Sequence, residues 1–297
     1  MNPADDGTGI VLAAYGRGAL VLTEGHTVHC GLIGRDLRLV CGDVVAWRRD
    51  ALADHPSVHA VEARRNCIER IDARGRPEPV AANLDRLAIM VAPEPATDWF
   101  LVDRYWAAAA QCGIDAVLIV NKSDQDMASM SEEIANFNHL GLPCTPLCCR
   151  AGSGLPTVRE LLRRGVTLLV GQSGVGKSTL VNELVPSAGA QTMELGRDRE
   201  GRHTTTTARR YRLDGEAAIV DAPGVRDFAP PARFSRAAER GFVEILGRSA
   251  DCRFNDCRHL QEPGCAVRSA LDAGEISARR YESYRRLLRL HAQFASR

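Results

Sequence analysis

The sequence predicts an α/β domain between an N-terminal β-barrel and a mainly α-helical C-terminal domain. Short apolar segments separated by Gly, Asp and Pro fill residues 10–71, a pattern typical of a small barrel. From about residue 83 apolar strands alternate with helical segments, as in an α/β domain. Beyond residue 231 no strand is predicted, and a cysteine-rich loop precedes a helix at 277–294. The 297 residues suffice for domains at 1–75, 76–232 and 233–297.

The individual elements follow from apolar runs and their punctuation. Barrel strands are predicted at residues 10–15, 19–22, 27–30, 37–41, 44–47 and 58–71. In the α/β region a strand at 87–91 leads into a helix over 98–111, which Gly113 closes. Further strands are predicted at 116–120, 167–170 and 217–220, and each of these three leads directly into a motif.

The composition is that of a soluble globular chain, with 45% hydrophobic and 25% charged residues. No apolar run is long enough to span a bilayer, so no membrane partner is expected. The N-terminal residues are polar and acidic, unlike a secretory signal, which favours a cytoplasmic location. In a reducing compartment the ten cysteines are expected to be core thiols or metal ligands.

Arginine supplies nearly all of the positive charge. Of 38 basic residues only Lys122 and Lys177 are lysines, and both lie inside motifs. A lysine kept in such a chain marks a place where a planar guanidinium does not replace a compact ammonium. The basic excess is C-terminal, with 13 arginines against 8 acidic residues in 233–297.

The strongest motif satisfies the phosphate-loop pattern in full and follows the strand at 167–170. It consists of Gly171, Gln172, Ser173, Gly174, Val175, Gly176, Lys177 and Ser178, with Thr179 next. Its glycines let backbone N–H groups surround phosphates, Lys177 reaches the β- and γ-phosphates, and Ser178 supplies an oxygen to Mg²⁺. A plain glycine-rich turn is the alternative, but strand, loop and helix occur in the required order.

A second motif, Asn121, Lys122, Ser123 and Asp124, ends the strand at 116–120. The Asp124 carboxylate can accept from both N1–H and the 2-amino group of guanine, a donor pair that adenine lacks. Asn121 fixes the loop, and the aliphatic stem of Lys122 covers the purine face. Alone, these four residues would indicate a turn or a helix cap. Beside a phosphate loop they favour GTP and argue against an ATP-dependent kinase or ATPase.

Asp221 ends the strand at 217–220 and begins an Asp-Ala-Pro-Gly motif. At this place a carboxylate can hold the magnesium shell through water, and the N–H of Gly224 can meet the γ-phosphate. A Pro-Gly turn after a strand is the alternative, which the place of this motif in the chain disfavours.

Residues 201–207 are rich in hydroxyl side chains and stand where a switch segment would lie. Thr204 or Thr205 is expected to reach Mg²⁺. Val225, which follows Gly224, cannot orient the attacking water. His203 is the candidate for that role, with a solvated loop histidine as an equal alternative.

Four soft or borderline ligands crowd into fourteen residues near the C-terminus: Cys252, Cys257, His259 and Cys265. Three thiolates and an imidazole suit a closed tetrahedral structural Zn²⁺ site that leaves no open position for catalysis. Reduced thiols in a loop are the alternative.

The order of the motifs is unusual, because the base-reading motif precedes the phosphate loop and the Asp221 motif comes last. In this order the chain resembles the circularly permuted GTPases, and among them the small-ribosomal-subunit biogenesis GTPase family. The resemblance covers nearly the whole chain. It is carried by Gly42-Asp43-Val44-Val45, Asn83-Leu84-Asp85, Asp103-Arg104-Tyr105, the motifs at Asn121 and Gly171, residues 201–206 and 221–228, and the cysteine cluster. The family usually has Ser-Ala in its last guanine-contacting loop, where this chain has Cys148-Cys149.

The resemblance implies an N-terminal OB-fold, a circularly permuted α/β P-loop GTPase domain and a C-terminal zinc-binding domain. It implies that the chain, expected to be a monomer, binds the small ribosomal subunit and its rRNA and hydrolyses GTP to GDP and phosphate during late maturation. A zinc-containing RNA-binding assembly factor whose nucleotide site is only regulatory is the alternative. Basic residues that fit an RNA backbone, or else a solvated helix face, are Arg279, Arg280, Arg285, Arg286 and Arg289.

Overall fold

The structure is a computed structural model that describes residues 6–33, 37–49, 55–71, 76–185, 208–222 and 238–295. Its strands are β1 (Asp6–Tyr15), β2 (Gly18–Thr23), β3 (His26–Leu32), β4 (Val44–Arg48), β5 (Ser57–Val61), β6 (Cys67–Ile71), β7 (Pro77–Ala82), β8 (Arg86–Val91), β9 (Asp115–Val120), β10 (Cys144–Pro146), β11 (Val166–Gly171), β12 (Arg209–Arg212) and β13 (Ala218–Asp221). Its α-helices are α1 (Trp99–Cys112), α2 (Ala128–His139), α3 (Leu155–Leu162), α4 (Lys177–Leu184), α5 (Val243–Ser249), α6 (Ala266–Asp272) and α7 (Ala278–Ala295), and a 3-10 helix covers Ala238–Gly241.

The first five strands close into a barrel, as the sequence predicts. β1 pairs with β2 and β4, β2 with β3, β3 with β5, and β5 with β4. Alternate side chains of these strands fill its interior because successive residues of a strand point to opposite faces. The buried interior side chains include Val11, Val21, Val45, Trp47 and Val58.

The predicted strand at 37–41 is wrong. Among the described residues of this segment only Cys41 makes a bridge, to Ala81. The Asp43 carboxylate accepts from the Val40 N–H at 2.9 Å and is held from the other side by Arg64 at 2.7 Å. A side chain that takes a backbone donor competes with strand pairing, so the segment forms a turn instead.

The α/β domain contains the sheet order β10-β9-β8-β11-β13-β12. Its first five strands are parallel, and β12 is antiparallel to β13. Along β8, Leu87 and Ile89 pack with side chains of α1 and α2, whereas Ala88 and Met90 pack with those of α3 and α4. The sheet is therefore buried on both faces, which explains why its strands read as continuous apolar runs.

Helix α1 confirms the predicted helix, including both ends. The Asp98 side chain accepts from the N–H groups of Phe100 and Leu101, as an N-cap does. Gly113 adopts the left-handed conformation, with φ of 66°, that ends a helix. Glycine is favoured here because it carries no Cβ.

The C-terminal helices pack against α1. Gly241 approaches so closely that a Cβ there would lie 2.2 Å from the Cα of Ala107. Helix α7 confirms the helix predicted at 277–294 and contributes Tyr284 and Leu287 to a core shared with Phe242. None of the described helices combines the length and hydropathy needed to cross a membrane.

A buried ion cluster crosses this junction and corrects one expectation. Arg280 is fully buried and bonds to Asp103 Oδ1 at 2.7 Å and to both carboxylate oxygens of Glu244. Arg279 bonds to Asp103 Oδ2 and to Glu133. The expectation that Arg280 faces an RNA backbone is wrong, and Arg279 is held by two carboxylates.

Candidate nucleotide site and metal centre

Three of the predicted motifs meet at one edge of the sheet. Asn121 follows β9, Gly171 ends β11, and Asp221 ends β13. These strands are parallel, with β8 between β9 and β11, so their carboxyl ends lie on the same side. A crevice at the carboxyl ends of parallel strands is where α/β sheets bind nucleotides.

The phosphate loop passes close to its neighbours at two glycines. Gly171 has φ of 143°, and a Cβ there would lie 2.2 Å from the carbonyl oxygen of Met90. Gly176 has φ of 101°, and a Cβ would lie 2.3 Å from Asn121 Nδ2. Side chains at either position would therefore push the phosphate loop away from β8 and Asn121.

Polar side chains of this loop differ in what they face. The Lys177 ammonium donates to the carbonyl oxygens of Gly171 and Gln172, both at 2.7 Å. Ser178 and Thr179 are exposed at the start of α4. Val175 is fully buried in the core, so only its backbone can reach a nucleotide. Ser173 and Gly174 are exposed.

The side chain of Gln172 makes hydrogen bonds to the segment just before α1. Its Oε1 accepts from the Asp98 N–H at 2.8 Å, and its Nε2 donates to the Ala96 carbonyl at 3.2 Å. The predicted role of Gln172 in nucleotide binding is therefore left to its backbone.

The Asn121 side chain connects its own loop to the phosphate loop and to the loop at 148–149. It is buried, its Nδ2 donates to the Val175 carbonyl at 2.8 Å, and its Oδ1 accepts from the Cys149 N–H at 3.2 Å. Lys122 has a left-handed backbone with φ of 58°, and its ammonium donates to the Glu94 carbonyl. The Ser123 N–H donates to Leu147.

Asp124 is exposed at the tip of this loop. Its Oδ1 accepts a hydrogen bond from the Cys148 thiol at 3.0 Å. That hydrogen bond, with one from its own backbone N–H, holds the pKa of Asp124 below its ordinary value. The motif alone did not reveal the thiol, and the departure from Ser-Ala at 148–149 was the available signal.

Asp221 lies opposite the phosphate loop, paired in register with Leu169 of β11. Burial raises the pKa of its carboxyl, and the charge of Lys177 opposes that rise. The predicted residues His203, Thr204, Thr205 and Gly224 lie outside the described residues.

The four predicted metal ligands are gathered in the C-terminal domain. Donor atoms of Cys252, Cys257, His259 and Cys265 all lie within 4.8 Å of one another. His259 Nδ1 is 3.5 Å from the sulfur atoms of Cys252 and Cys265, which are 4.0 Å apart. This group could hold a metal ion.

Surrounding groups orient the cluster. Nε2 of His259 faces the buried carboxylate of Glu239 at 3.6 Å, so Nδ1 is turned toward the sulfur atoms. The Tyr281 hydroxyl donates to the His259 carbonyl. Burial opposes ionisation of Glu262, yet N–H groups of Arg258, Leu260 and Gln261 donate to its carboxylate and lower its pKa to about 2. These contacts fix the loop that carries the ligands.

The loop at 121–124, the phosphate loop and Asp221 lie along one sheet. The phosphate loop comes second in the chain instead of first, and this order defines a circularly permuted GTPase. A profile of the RsgA GTPase family matches residues 61–230. The chain belongs to the RsgA GTPase family and is a GTP hydrolase.

Known relatives extend over nearly the whole chain. The protein named small ribosomal subunit biogenesis GTPase RsgA from Azotobacter vinelandii is 39% identical over 293 residues, covering 94% of this chain and 84% of the relative. The protein of the same name from Pseudomonas fluorescens (strain Pf-5) is 38% identical and covers 95% and 84%. The crystal structure of YjeQ from Thermotoga maritima aligns with a TM-score of 0.73 at 25% identity, covering 98% of this chain and 99% of that one. YloQ, described as a circularly permuted GTPase, shares the fold with a TM-score of 0.70 at 20% identity, covering 98% and 96%.

Proposed function

We propose that this chain binds the small ribosomal subunit and its rRNA and hydrolyses GTP there during late maturation of the subunit, with hydrolysis timing release. The single observation that carries the proposal is family membership, since relatives named as small ribosomal subunit biogenesis GTPases match nearly the whole chain. The exposed arginines of α7 support an RNA partner, because binding to phosphates supplies most non-specific affinity for nucleic acid.

We propose that the loop at 121–124 reads guanine. Asp124 would accept from N1–H and the 2-amino group, and the stem of Lys122 would cover the ring. Asn121 acts indirectly, because its side chain is used to hold Val175 and Cys149.

Phosphates would be held by backbone N–H groups of Gly171 to Thr179 and by Lys177. Ser178 and, through water, Asp221 are the residues that would hold Mg²⁺, which when bound neutralises charge on the β- and γ-phosphates. Thr204 or Thr205 and Gly224 complete this proposal. For His203 we propose that it orients the attacking water, and a His203→Ala protein with undiminished subunit-stimulated turnover would refute this role.

The metal of the cysteine cluster is proposed to be one structural Zn²⁺. Three thiols and an imidazole are the donors that zinc prefers, and sulfur atoms 4.0 Å apart suit a tetrahedron with Zn–S bonds of about 2.3 Å. Metal analysis of the purified protein should give about one zinc per chain. Cys257→Ser should lower that content, whereas Cys30→Ser, in the barrel, should leave it unchanged.

The surface proposed to face rRNA is the exposed side of α7. Arg285, Arg286 and Arg289 are exposed there, grouped around Glu282. Each of the three arginines pairs with Glu282, so they form one exposed basic patch that a phosphate backbone could contact.

The test is GTP hydrolysis with and without small ribosomal subunits, using large subunits and ATP as controls. Strong stimulation by small subunits alone is expected. Arg285→Ala with Arg289→Ala should weaken stimulation and its salt dependence while leaving the unstimulated rate unchanged. The matched control is Arg163→Ala with Arg164→Ala, an exposed pair beyond α3. Absence of stimulation despite GTP binding would contradict the ribosomal role.

The second candidate is an RNA-binding assembly factor whose nucleotide site is only regulatory. Normal subunit maturation by a protein that binds GTP but does not hydrolyse it would favour this candidate.

We further propose that the chain is a cytoplasmic monomer with domains at 1–75, 76–232 and 233–297. The β6–β7 hairpin would connect the first two domains. Light scattering after size-exclusion chromatography checks the monomer.

A further inference from the structure

The loop after β10 brings a thiol to the carboxylate proposed to read guanine. Cys148 Sγ lies 3.0 Å from Asp124 Oδ1, and Cys148 is only 4% exposed. Asp124 itself is exposed, so its carboxylate lies at the surface while the buried Cys148 thiol donates to one of its oxygens. Within the described residues, the side chain that donates to Asp124 is that of Cys148.

Backbone contacts hold the loop that carries this thiol. The Cys148 N–H donates to the Ser153 carbonyl at 2.8 Å, which closes the turn. Gly154, with φ of 78°, passes so close to Pro146 that a Cβ would lie 2.3 Å from its carbonyl oxygen. The loop also bonds to the neighbouring one, because Leu147 accepts from the Ser123 N–H. These contacts hold the backbone that carries the thiol, and the observed side-chain rotamer of Cys148 places its Sγ against Asp124 Oδ1.

Guanine recognition uses both oxygens of the Asp124 carboxylate. One oxygen must face N1–H and the other the 2-amino group, so the plane of the carboxylate must be set. A free aspartate side chain at a loop tip rotates about two bonds, and fixing it on binding costs conformational entropy. A donor behind Oδ1 fixes the plane beforehand and leaves the remaining lone pairs for the base. The S–H is a weak donor, but a charged acceptor strengthens the bond.

We propose that Cys148 is a positioning residue that sets the Asp124 carboxylate for guanine, so that base specificity in this chain depends on a sulfhydryl donor. The proposal rests on the proposed guanine reading by Asp124. It concerns the side chain of Cys148, whereas Cys149 contributes its backbone N–H to Asn121.

The test compares the full chain and its variants for binding of GDP and IDP in magnesium buffer by calorimetry. IDP lacks the 2-amino group, so it needs only one of the two carboxylate contacts. Cys148→Ala should lower GDP affinity about tenfold and IDP affinity less, which reduces the GDP/IDP preference. Cys148→Ser keeps a donor and should retain most of the preference. Cys144→Ala removes a thiol that donates to Leu142 and Ile134, away from Asp124, and should behave as wild type.

Three outcomes distinguish a failure of this proposal from a failure of the proposed guanine recognition by Asp124. Equal losses for GDP and IDP in Cys148→Ala, without rescue by serine, would mean a general loosening of the loop and would overturn the proposal. Wild-type affinities for both nucleotides in Cys148→Ala would also overturn it, because the thiol would then contribute nothing to binding. Asp124→Asn should bind XDP better than GDP, because the amide can donate to the 2-carbonyl of xanthine. If it does not, the reading of guanine by Asp124 itself is wrong.

Discussion

Charged side chains at the nucleotide site and at the junction between α1 and α7 are used in opposite ways. At the nucleotide site Asp124 is exposed and Lys177 donates to loop carbonyls. At the junction Arg280 is fully buried, and Asp103 and Glu244 satisfy it inside the protein. A charge at the surface is available to a ligand, whereas a buried pair belongs to the fold and leaves an uncompensated charge when broken. Substitutions should therefore affect activity at the first place and stability at the second.

The largest effect is expected for Asp103→Ala. It leaves Arg280 buried without its Asp103 partner, so the free energy of unfolding should fall by about 3–5 kcal/mol. Urea denaturation followed by circular dichroism measures the change. Glu132→Ala, at an exposed position of α2, should change stability by less than about 0.5 kcal/mol. A stability close to wild type for Asp103→Ala would remove the contrast between the two regions.

A smaller and different effect is expected for Lys177→Ala. GTP hydrolysis should slow about a hundredfold, because the positive charge of the Lys177 ammonium beside the transferred phosphate is lost. The free energy of unfolding should change by less than about 1 kcal/mol. Lys177→Arg is the sharper variant, since it keeps the charge but replaces the compact ammonium. Near-normal turnover in that variant would show that charge alone suffices.

The smallest effect is expected for Glu262→Gln in the metal-binding loop. The folded pKa of Glu262, about 2, lies below its ordinary value of 4.5, so the ionised form stabilises the fold above pH 4.5 and loses this contribution as pH falls toward 2. At pH 7 the variant should be less stable by about 1 kcal/mol, a modest figure because solvent screens this partly exposed group.

The difference in free energy of unfolding between wild type and Glu262→Gln should shrink as pH falls from 4.5 toward 2 in urea titrations. Asp272→Asn, an exposed position on α6, serves as the control. A difference that stays constant over this range would mean that the charge of Glu262 does not act through the loop N–H groups.

The sequence predicted the nucleotide site better than the junction, for a physical reason. A phosphate loop is specified by glycines and a lysine adjacent in the chain, so local letters suffice. The role of Arg280 depends on Asp103 and Glu244, far away in sequence. A local signal did exist, because Arg280 stands on the same face of α7 as Tyr284 and Leu287, at helical spacing. Arg285 and Arg289 lie off that face and stay exposed.

The failed strand at 37–41 and the thiol of Cys148 have a common cause. Both depend on side-chain hydrogen bonds that apolar patterns do not show: Asp43 accepts from the Val40 N–H and from Arg64, and Asp124 accepts from Cys148. Propensity patterns carry no information on such partners. The barrel, the four central strands of the sheet and α1 were predictable because their apolar periodicity and caps are local. The strand predicted at 58–71 is divided into β5 and β6, and β10 and β12 were not predicted.

One row of backbone pairing crosses from the barrel into the nucleotide site. Ala13 of β1 is paired with Arg209 of β12, which is paired with Asp221 of β13. Side chains alternate along a strand, so a one-residue insertion within β12 would reverse the faces of this row. Space is open around Gly215, in the turn between β12 and β13. An insertion in this turn would therefore leave the faces of both strands unchanged. Sequence divergence among members of the family should accordingly concentrate in this turn and spare the spacing of the strands on either side.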